Sequence, residues 1–305
     1  MLLVHGAFAD GSMWAGVISE LQATGIGVIA VASPLRSLTS DTAYVASAIA
    51  EIDGPVLLAG HDYGGAVITA AGSAADNLTG LVYVAAFALD EGESALDITS
   101  RFPGSQLMPA LRPATFPGAD GDPAIELYID REASPRVFAA DLPHRSAAAA
   151  AATQRPLTAA AFEEKSPAAA WKTAPSWYIV ATADQVIPPE GQRFMARRAG
   201  AHTVAIPASH AVALTQSAAV AGHIAAAASS SGGVAHSGGC RLSTASFGET
   251  QEYAAPHPQN CRTYPQDESG VVRVVMTFAH EPGVAGKPGR RGCPLWNRAP
   301  VPRAR

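Results

Sequence analysis

Gly60-His61-Asp62-Tyr63-Gly64-Gly65 is the stretch on which the reading of this chain turns. It follows the apolar run Pro55-Val56-Leu57-Leu58-Ala59 and leads into Ala66-Val67-Ile68-Thr69-Ala70-Ala71. That pattern predicts a strand, a sharp turn and a helix. Glycine on both sides leaves room for a turn tight enough to strain its central residue. The side chain of Asp62 is therefore expected to stand at the C-terminal edge of a sheet, above a helix N-terminus. Most such elbows carry Ser or Cys, so an Asp changes which chemistry is open. The plainer reading of Asp62 is an ordinary helix N-cap.

Outward from the elbow, short apolar runs alternate with helical patterns over residues 1–228. Leu2–Val4, Gly27–Val31, Val56–Ala59, Leu81–Ala86, Trp177–Ala181 and Thr203–Ile206 read as strands. They are rich in Val, Ile and Leu without polar alternation, as strands covered on both faces should be. Trp14–Ala23, Thr42–Ile52, Ala66–Ala74, Pro189–Arg198 and Ala211–Ala227 read as helices, with Ser40 or Asp41 capping the second and Gly200 ending the fourth. The alternation predicts an α/β fold with a doubly wound, mostly parallel sheet.

Residues 88–174 break the rhythm. They hold nine prolines and no strand pattern, with helical pieces expected around Ala124–Ile129 and Arg136–Ala152. An insertion of that length at the C-terminal edge of a sheet reads as a helical cap over a site. From Ser229 the composition changes to Gly, Ser, Pro and Arg, and residues 229–305 read as a disordered tail containing one strand-like run, Val271–Phe278.

Charge and cysteine usage narrow the function classes. The net charge of −5 divides into about +4 from residue 229 onward and −9 before it, and the acidic body carries no basic footprint for nucleic acid. No apolar run is long enough to span a membrane. Met1-Leu2-Leu3-Val4 lacks the basic start of a secretory signal, and a cytoplasmic protein is expected. Cys240, His257 and Cys261 lack metal-ligand spacing, so neither a metal nor a cofactor is expected, and the partner is a small-molecule substrate.

Three segments fall where chemistry at the elbow needs them. Val4-His5-Gly6-Ala7-Phe8 is a strand end and glycine turn whose Ala7 N–H can oppose the Tyr63 N–H, making an anion hole. Asp184, just past the strand Trp177–Ala181, can orient an imidazole, with Asp90 as the rival acid. His210 lies in the loop after the last strand. The chain order Asp62, Asp184, His210 matches that of elbow-type triads. Phe8, Trp14, Phe87 and Tyr128 are candidate pocket walls, while His5 and His61 read as structural residues bonding backbone around the turns.

These residues, with His5 to Trp14 and Leu81-Val82-Tyr83-Val84-Ala85-Ala86-Phe87, make residues 1–228 resemble the α/β-hydrolase superfamily. The nearer resemblance is to small bacterial hydrolases of the esterase and hydroxynitrile-lyase-like branch, which usually have Ser where Asp62 stands. Asp at the elbow is similar instead to epoxide hydrolases and to haloalkane and haloacid-type dehalogenases. That likeness implies attack by Asp62 on a saturated carbon, an alkyl–enzyme ester, and its hydrolysis by water activated by His210 and Asp184, with Ala7 and Tyr63 N–H groups holding the oxyanion.

The marks of the subtypes are sparse. The first turn has Phe8 where epoxide hydrolases commonly have proline, and the cap offers one tyrosine, Tyr128, unless Tyr83 or Tyr178 reaches over. Haloalkane dehalogenases usually have Trp after the nucleophile; here it is Tyr63, with Trp14 or Trp171 as substitutes. The alternatives are an esterase- or lyase-like enzyme in which Asp62 is not a nucleophile, and a non-catalytic small-molecule-binding pseudo-hydrolase.

Overall fold

In the computed structural model, which describes residues 1–118 and 121–231, six strands run parallel in one sheet. They are β1 (Leu2–Val4), β2 (Ile29–Val31), β3 (Val56–Asp62), β4 (Leu78–Ala86), and two later strands, Ser176–Ala181 and His202–Ile206. The cap contributes three more in between, β5 (Leu111–Pro117), β6 (Pro123–Ile129) and β7 (Leu157–Thr158), so the two late sheet strands are β8 and β9. The order across the main sheet is β2-β1-β3-β4-β8-β9. Each expected strand is present, and β3 runs on through Asp62 itself.

Side chains alternate across this sheet with the period of two that strands impose. Leu2, Val4, Leu58, Tyr83 and Val180 enter one buried core, while Leu3, Leu57, Val82, Val84 and Ile179 enter another on the opposite face. Trp14 is fully buried in that second core. The sheet is thus covered on both sides, which is why its strands read as unbroken apolar runs.

Helix boundaries shift where caps and packing decide them. The helix expected over Thr42–Ile52 spans Leu38–Ala50, and its cap is Ser37, whose hydroxyl accepts from the Ser40 N–H, rather than Ser40 or Asp41. Asp41 instead is buried in the first turn and accepts from the Arg36 N–H and the Tyr63 hydroxyl. Gly200 follows the helix Pro189–Arg198 with φ of 59°, the left-handed conformation that suits glycine at a helix end. The last expected helix is broken into Val212–Thr215 and Ser217–Ser231. The second piece runs three residues past the expected boundary at 228, with Ser229, Ser230 and Ser231 each donating to the carbonyl four residues back.

The cap is not all helical. The segment expected as helix at Ala124–Ile129 is the strand β6, paired antiparallel with β5 and β7. Pro113 and Pro117 lie on the edge strand β5 and Pro123 is the first residue of β6, two positions that tolerate a residue with no N–H to donate. A six-residue run such as Ala-Ile-Glu-Leu-Tyr-Ile fits either periodicity, and pairing with β5 decides it. The expected helix Arg136–Ala152 is two, Ser134–Phe138 and His144–Thr153. The run Val271–Phe278 and the Cys240, His257 and Cys261 reading lie outside the described residues.

Candidate active site

Asp62 has φ 50° and ψ −123°, a conformation that costs a non-glycine residue about 1–3 kcal/mol. Close packing around the turn holds it there. A Cβ on Gly64 would sit 2.4 Å from the Val4 carbonyl oxygen, so only glycine lets the helix Tyr63–Gly72 lie against β1. A Cβ on Gly6 would meet Asp62 Oδ2 at 2.7 Å, so glycine there makes space for the carboxylate.

The Asp62 side chain makes no helix-cap hydrogen bond. Oδ2 instead accepts from the Ala7 N–H at 2.9 Å, and the Tyr63 N–H adds to the attraction without reaching hydrogen-bond geometry. Oδ1 lies 3.5 Å from His210 Nε2, an ion-pair distance too long for a short hydrogen bond. His210 Nδ1 faces Asp184 Oδ2 at 2.7 Å. Asp62, His210 and Asp184 are all buried. The three residues expected from the sequence thus lie in one line, and Asp90, the rival acid, pairs with Lys172 instead.

Asp184 is held on all sides. Its Oδ1 accepts from the Val186 and Ile187 N–H groups at 2.7 and 3.0 Å, and Gln192 Nε2 donates to Oδ2 at 2.7 Å. The His210 loop is fastened by four further bonds. His61 Nε2 donates to the His210 carbonyl, the Ala211 N–H donates to the Phe138 carbonyl, and Asp141 accepts from both the N–H and the hydroxyl of Ser209. Gln192, Phe138 and Asp141 are the site residues that sequence reasoning missed. The partners of Phe138 and Asp141 lie about 70 positions along the chain, whereas Gln192 is eight residues from Asp184, and its one local signal was a glutamine early in the helix that begins at Pro189.

Burial opposes charge on His210, but the carboxylates of Asp184 and Asp62 outweigh it and raise its pKa to about 10. Burial would likewise raise the Asp62 carboxyl, and the His210 ring beside it holds it below the usual carboxylate range. His61 is pushed down to about 3 by burial and by the charge of His210, so it is a neutral donor to backbone. His5 is lowered by burial and bonds the Gly6 carbonyl through Nδ1 at 2.9 Å.

These shifts make a prediction for stability. His210 binds its proton more tightly folded than unfolded, so the stabilisation is fully present below pH about 6.5 and is lost as pH rises through about 10. The melting-temperature advantage of wild type over His210→Gln is expected to shrink across that window. A constant difference from pH 6.5 to 10 would mean the ring is not charged in the folded protein. The Asp62 contribution has the opposite sense, being lost only as pH falls below the carboxylate range.

The pocket above Asp62 is apolar, walled by Phe8, Tyr63, Phe87, Leu107, Leu127 and Phe162. Two expected wall residues are elsewhere. Trp14 is in the core under the sheet, because its turn packs on the opposite face. Tyr128 faces a different cleft on the cap hairpin and donates to Glu126. Tyr83 and Tyr178 are fully buried, bonded to Thr69 and to the Ala86 carbonyl, and do not reach over. The Tyr63 hydroxyl donates to Asp41 and the Trp171 indole N–H to the Leu89 carbonyl. Among the described residues no three His, Cys, Asp or Glu side chains are placed to hold a metal, and no helix is long and apolar enough to cross a membrane.

Residues 1–223 match the alpha/beta hydrolase family. The chain belongs to that family. Solved structures similar to it include a pyrethroid hydrolase from Sphingobium faniae JZ-2, 25% identical with a TM-score of 0.61, covering 75% of this chain and 96% of that one. Polyneuridine aldehyde esterase is 18% identical with a TM-score of 0.64, covering 74% and 98%. A methylesterase from Arabidopsis is 16% identical with a TM-score of 0.61, covering 75% and 99%. No curated protein matches the chain. The alpha/beta hydrolase fold and the esterase-like neighbourhood expected from the sequence are thereby both met.

Proposed function

We propose that this alpha/beta hydrolase opens a carbon–halogen or carbon–oxygen bond at a saturated carbon, with Asp62 as nucleophile. The observation that carries the reading is the seat of Asp62 Oδ2 on the Ala7 N–H, with Oδ1 left facing His210. A serine-type elbow needs its anion hole open for the acyl oxygen of the substrate. Here the enzyme's own carboxylate sits on that donor, so an ester carbonyl finds one N–H already engaged. Attack by a carboxylate on an acyl carbon would also give an anhydride, whereas attack on an alkyl carbon gives an ordinary ester.

In this mechanism Oδ1 displaces the leaving group X from the carbon of R–X, forming Asp62–CO–O–R. The new ester is neutral, so one of the two carboxylates holding the His210 proton no longer does so. The ring's pKa falls, and its proton is lost to bulk water, where it balances the charge of the departed X. Neutral His210, oriented by Asp184, then takes a proton from water as the water oxygen attacks the Asp62 carbonyl carbon. The oxyanion forms at Oδ2, on the Ala7 N–H and beside the Tyr63 N–H. Collapse expels R–O, which leaves as R–OH with the proton from His210, and the Asp62 carboxyl so formed passes its remaining proton, the second of the water, to His210. The starting carboxylate and charged ring are restored, and R–X and water have yielded R–OH and HX.

The wall chemistry favours carbon–halogen over epoxide substrates. An alkoxide leaving group needs an acid, and among the described wall residues the one side-chain hydroxyl, that of Tyr63, is committed to Asp41. His210 stands beside the attacking oxygen, whereas the leaving group departs from the opposite side of the carbon. A halide needs no proton to depart.

A second reading draws on the esterase names among similar structures: an esterase site altered at one residue. A panel of haloalkanes, haloacids, epoxides and simple esters, run on wild type and Asp62→Ser, separates the two. Wild-type turnover of haloalkanes with loss in Asp62→Ser is expected. Inert wild type with ester hydrolysis appearing in Asp62→Ser would favour the altered esterase.

A further inference from the structure

The pocket directly over Asp62 has a volume of about 10 Å³, room for little more than one water. Ligand sites are usually about 300–1,000 Å³. On the other side of Phe8 lies a cleft of about 310 Å³, lined by Phe8, Met13, Phe138, Leu142, Ala149 and Leu214. Phe8 is a wall of both spaces. Phe138 links the cleft to the reacting groups a second time, with its ring 4.9 Å from the His210 ring, centroid to centroid.

Phe8 is built as a partition. Its φ is 59°, a left-handed conformation unfavourable for a bulky residue, and its side chain is buried. Its N–H donates to the Arg155 carbonyl of the cap at 2.9 Å. The preceding residue, Ala7, supplies the N–H that holds Asp62 Oδ2. A side chain held this way at the meeting of two cavities determines what passes between them.

We propose that the cleft beyond Phe8 binds the body of an elongated apolar substrate, and that Phe8 is the specificity-determining residue that admits its reacting end to Asp62. This rests on the proposed function only in placing the reacting carbon at Asp62. The floor is hydrocarbon and aromatic, while Asp10, Ser12, Ser146 and Thr153 border the cleft with polar groups. The fitting substrate class is a chain or aryl-alkyl body whose far end tolerates water.

Straight-chain primary alkanols, from ethanol to decanol, probe the cleft by calorimetry without any bond being broken. Affinity is expected to rise about fourfold per methylene up to octanol, the equivalent of about 0.8 kcal/mol for each buried CH₂. Ala149 is exposed on the helix His144–Thr153, so Ala149→Trp can fill the cleft without disturbing the core. In that variant the rise is expected to stop near butanol. The n-alkyl bromides test the gate: Phe8→Ala is expected to raise the octyl-to-ethyl ratio of kcat/KM at least tenfold. Equal chain-length dependence in wild type and Ala149→Trp, or an unchanged ratio in Phe8→Ala, would overturn the proposal. If alkanols follow the expected pattern but no bromide alkylates Asp62, the cleft stands and the nucleophile reading falls. If ethyl bromide alkylates Asp62 but chain length has no effect, the cleft falls alone.

Discussion

Incubated with n-butyl bromide, His210→Gln is expected to gain the mass of one butyl group on the peptide containing Asp62 and to keep it. In the mechanism above, the first half-reaction needs only the Asp62 carboxylate, held by the Ala7 N–H. The second needs a base within reach of water, and His210 Nε2, 3.5 Å from Asp62 Oδ1, is the ring nitrogen positioned for it. Removing the base should slow hydrolysis of the alkyl–enzyme about 10²- to 10⁴-fold while leaving its formation possible. Peptide mapping by mass spectrometry reads both halves at once. Asp62→Asn should show neither adduct nor turnover, because an amide at that position is a poor nucleophile. If no halide or epoxide leaves an adduct on Asp62 in His210→Gln, the nucleophile assignment is wrong.

The second large effect concerns the turn itself. Gly64→Ala is expected to destabilise the fold by about 3 kcal/mol, at the upper end of overpacking costs. Its Cβ would lie 2.4 Å from the Val4 carbonyl oxygen and 2.7 Å from that of His5, and both are backbone atoms that no rotamer change can move. For a domain of this size that corresponds to a fall in melting temperature of about 6–12 °C. Gly222→Ala is the internal control, because nothing lies within 4 Å of the added methyl and the residue sits in the helix Ser217–Ser231. It is expected to raise stability by about 1 kcal/mol, the usual glycine-to-alanine gain inside a helix. Urea unfolding of both variants checks the pair. A Gly64→Ala protein as stable as wild type would show that the helix after the elbow can move away from β1.

Much of this was legible in the chain because it is written locally. The apolar runs of β1, β3, β4, β8 and β9 are buried on both faces, and burial on both faces leaves no polar alternation to confuse the reading. The elbow glycines are legible for a similar reason, since Gly60 and Gly64 flank a turn that no larger residue permits. Asp62 ends a strand and Asp184 and His210 each follow one, so a parallel sheet is enough to bring all three to its C-terminal edge.

The cap was not legible in this way. Its hairpin depends on pairing between β5 and β6, and the proline-rich run of β5 and the ambiguous Ala124–Ile129 carry no periodicity that demands a strand. Trp14 and Tyr128 show the same limit from the other side. An aromatic residue beside a functional turn is oriented by what it packs on, which puts Trp14 beneath the sheet and turns Tyr128 toward Glu126.

Local patterning, acting through burial and backbone sterics, thus settles the α/β architecture and the residues at the sheet edge. The seating of Asp62 Oδ2 on the Ala7 N–H and the clamp of Asp141 and Phe138 on the His210 loop join residues 55 to 73 positions apart. The division of space by Phe8, bonded to Arg155, spans a longer separation still. Hydrogen-bond geometry and cavity shape come into being only when distant segments pack, and no spacing along the chain encodes them directly.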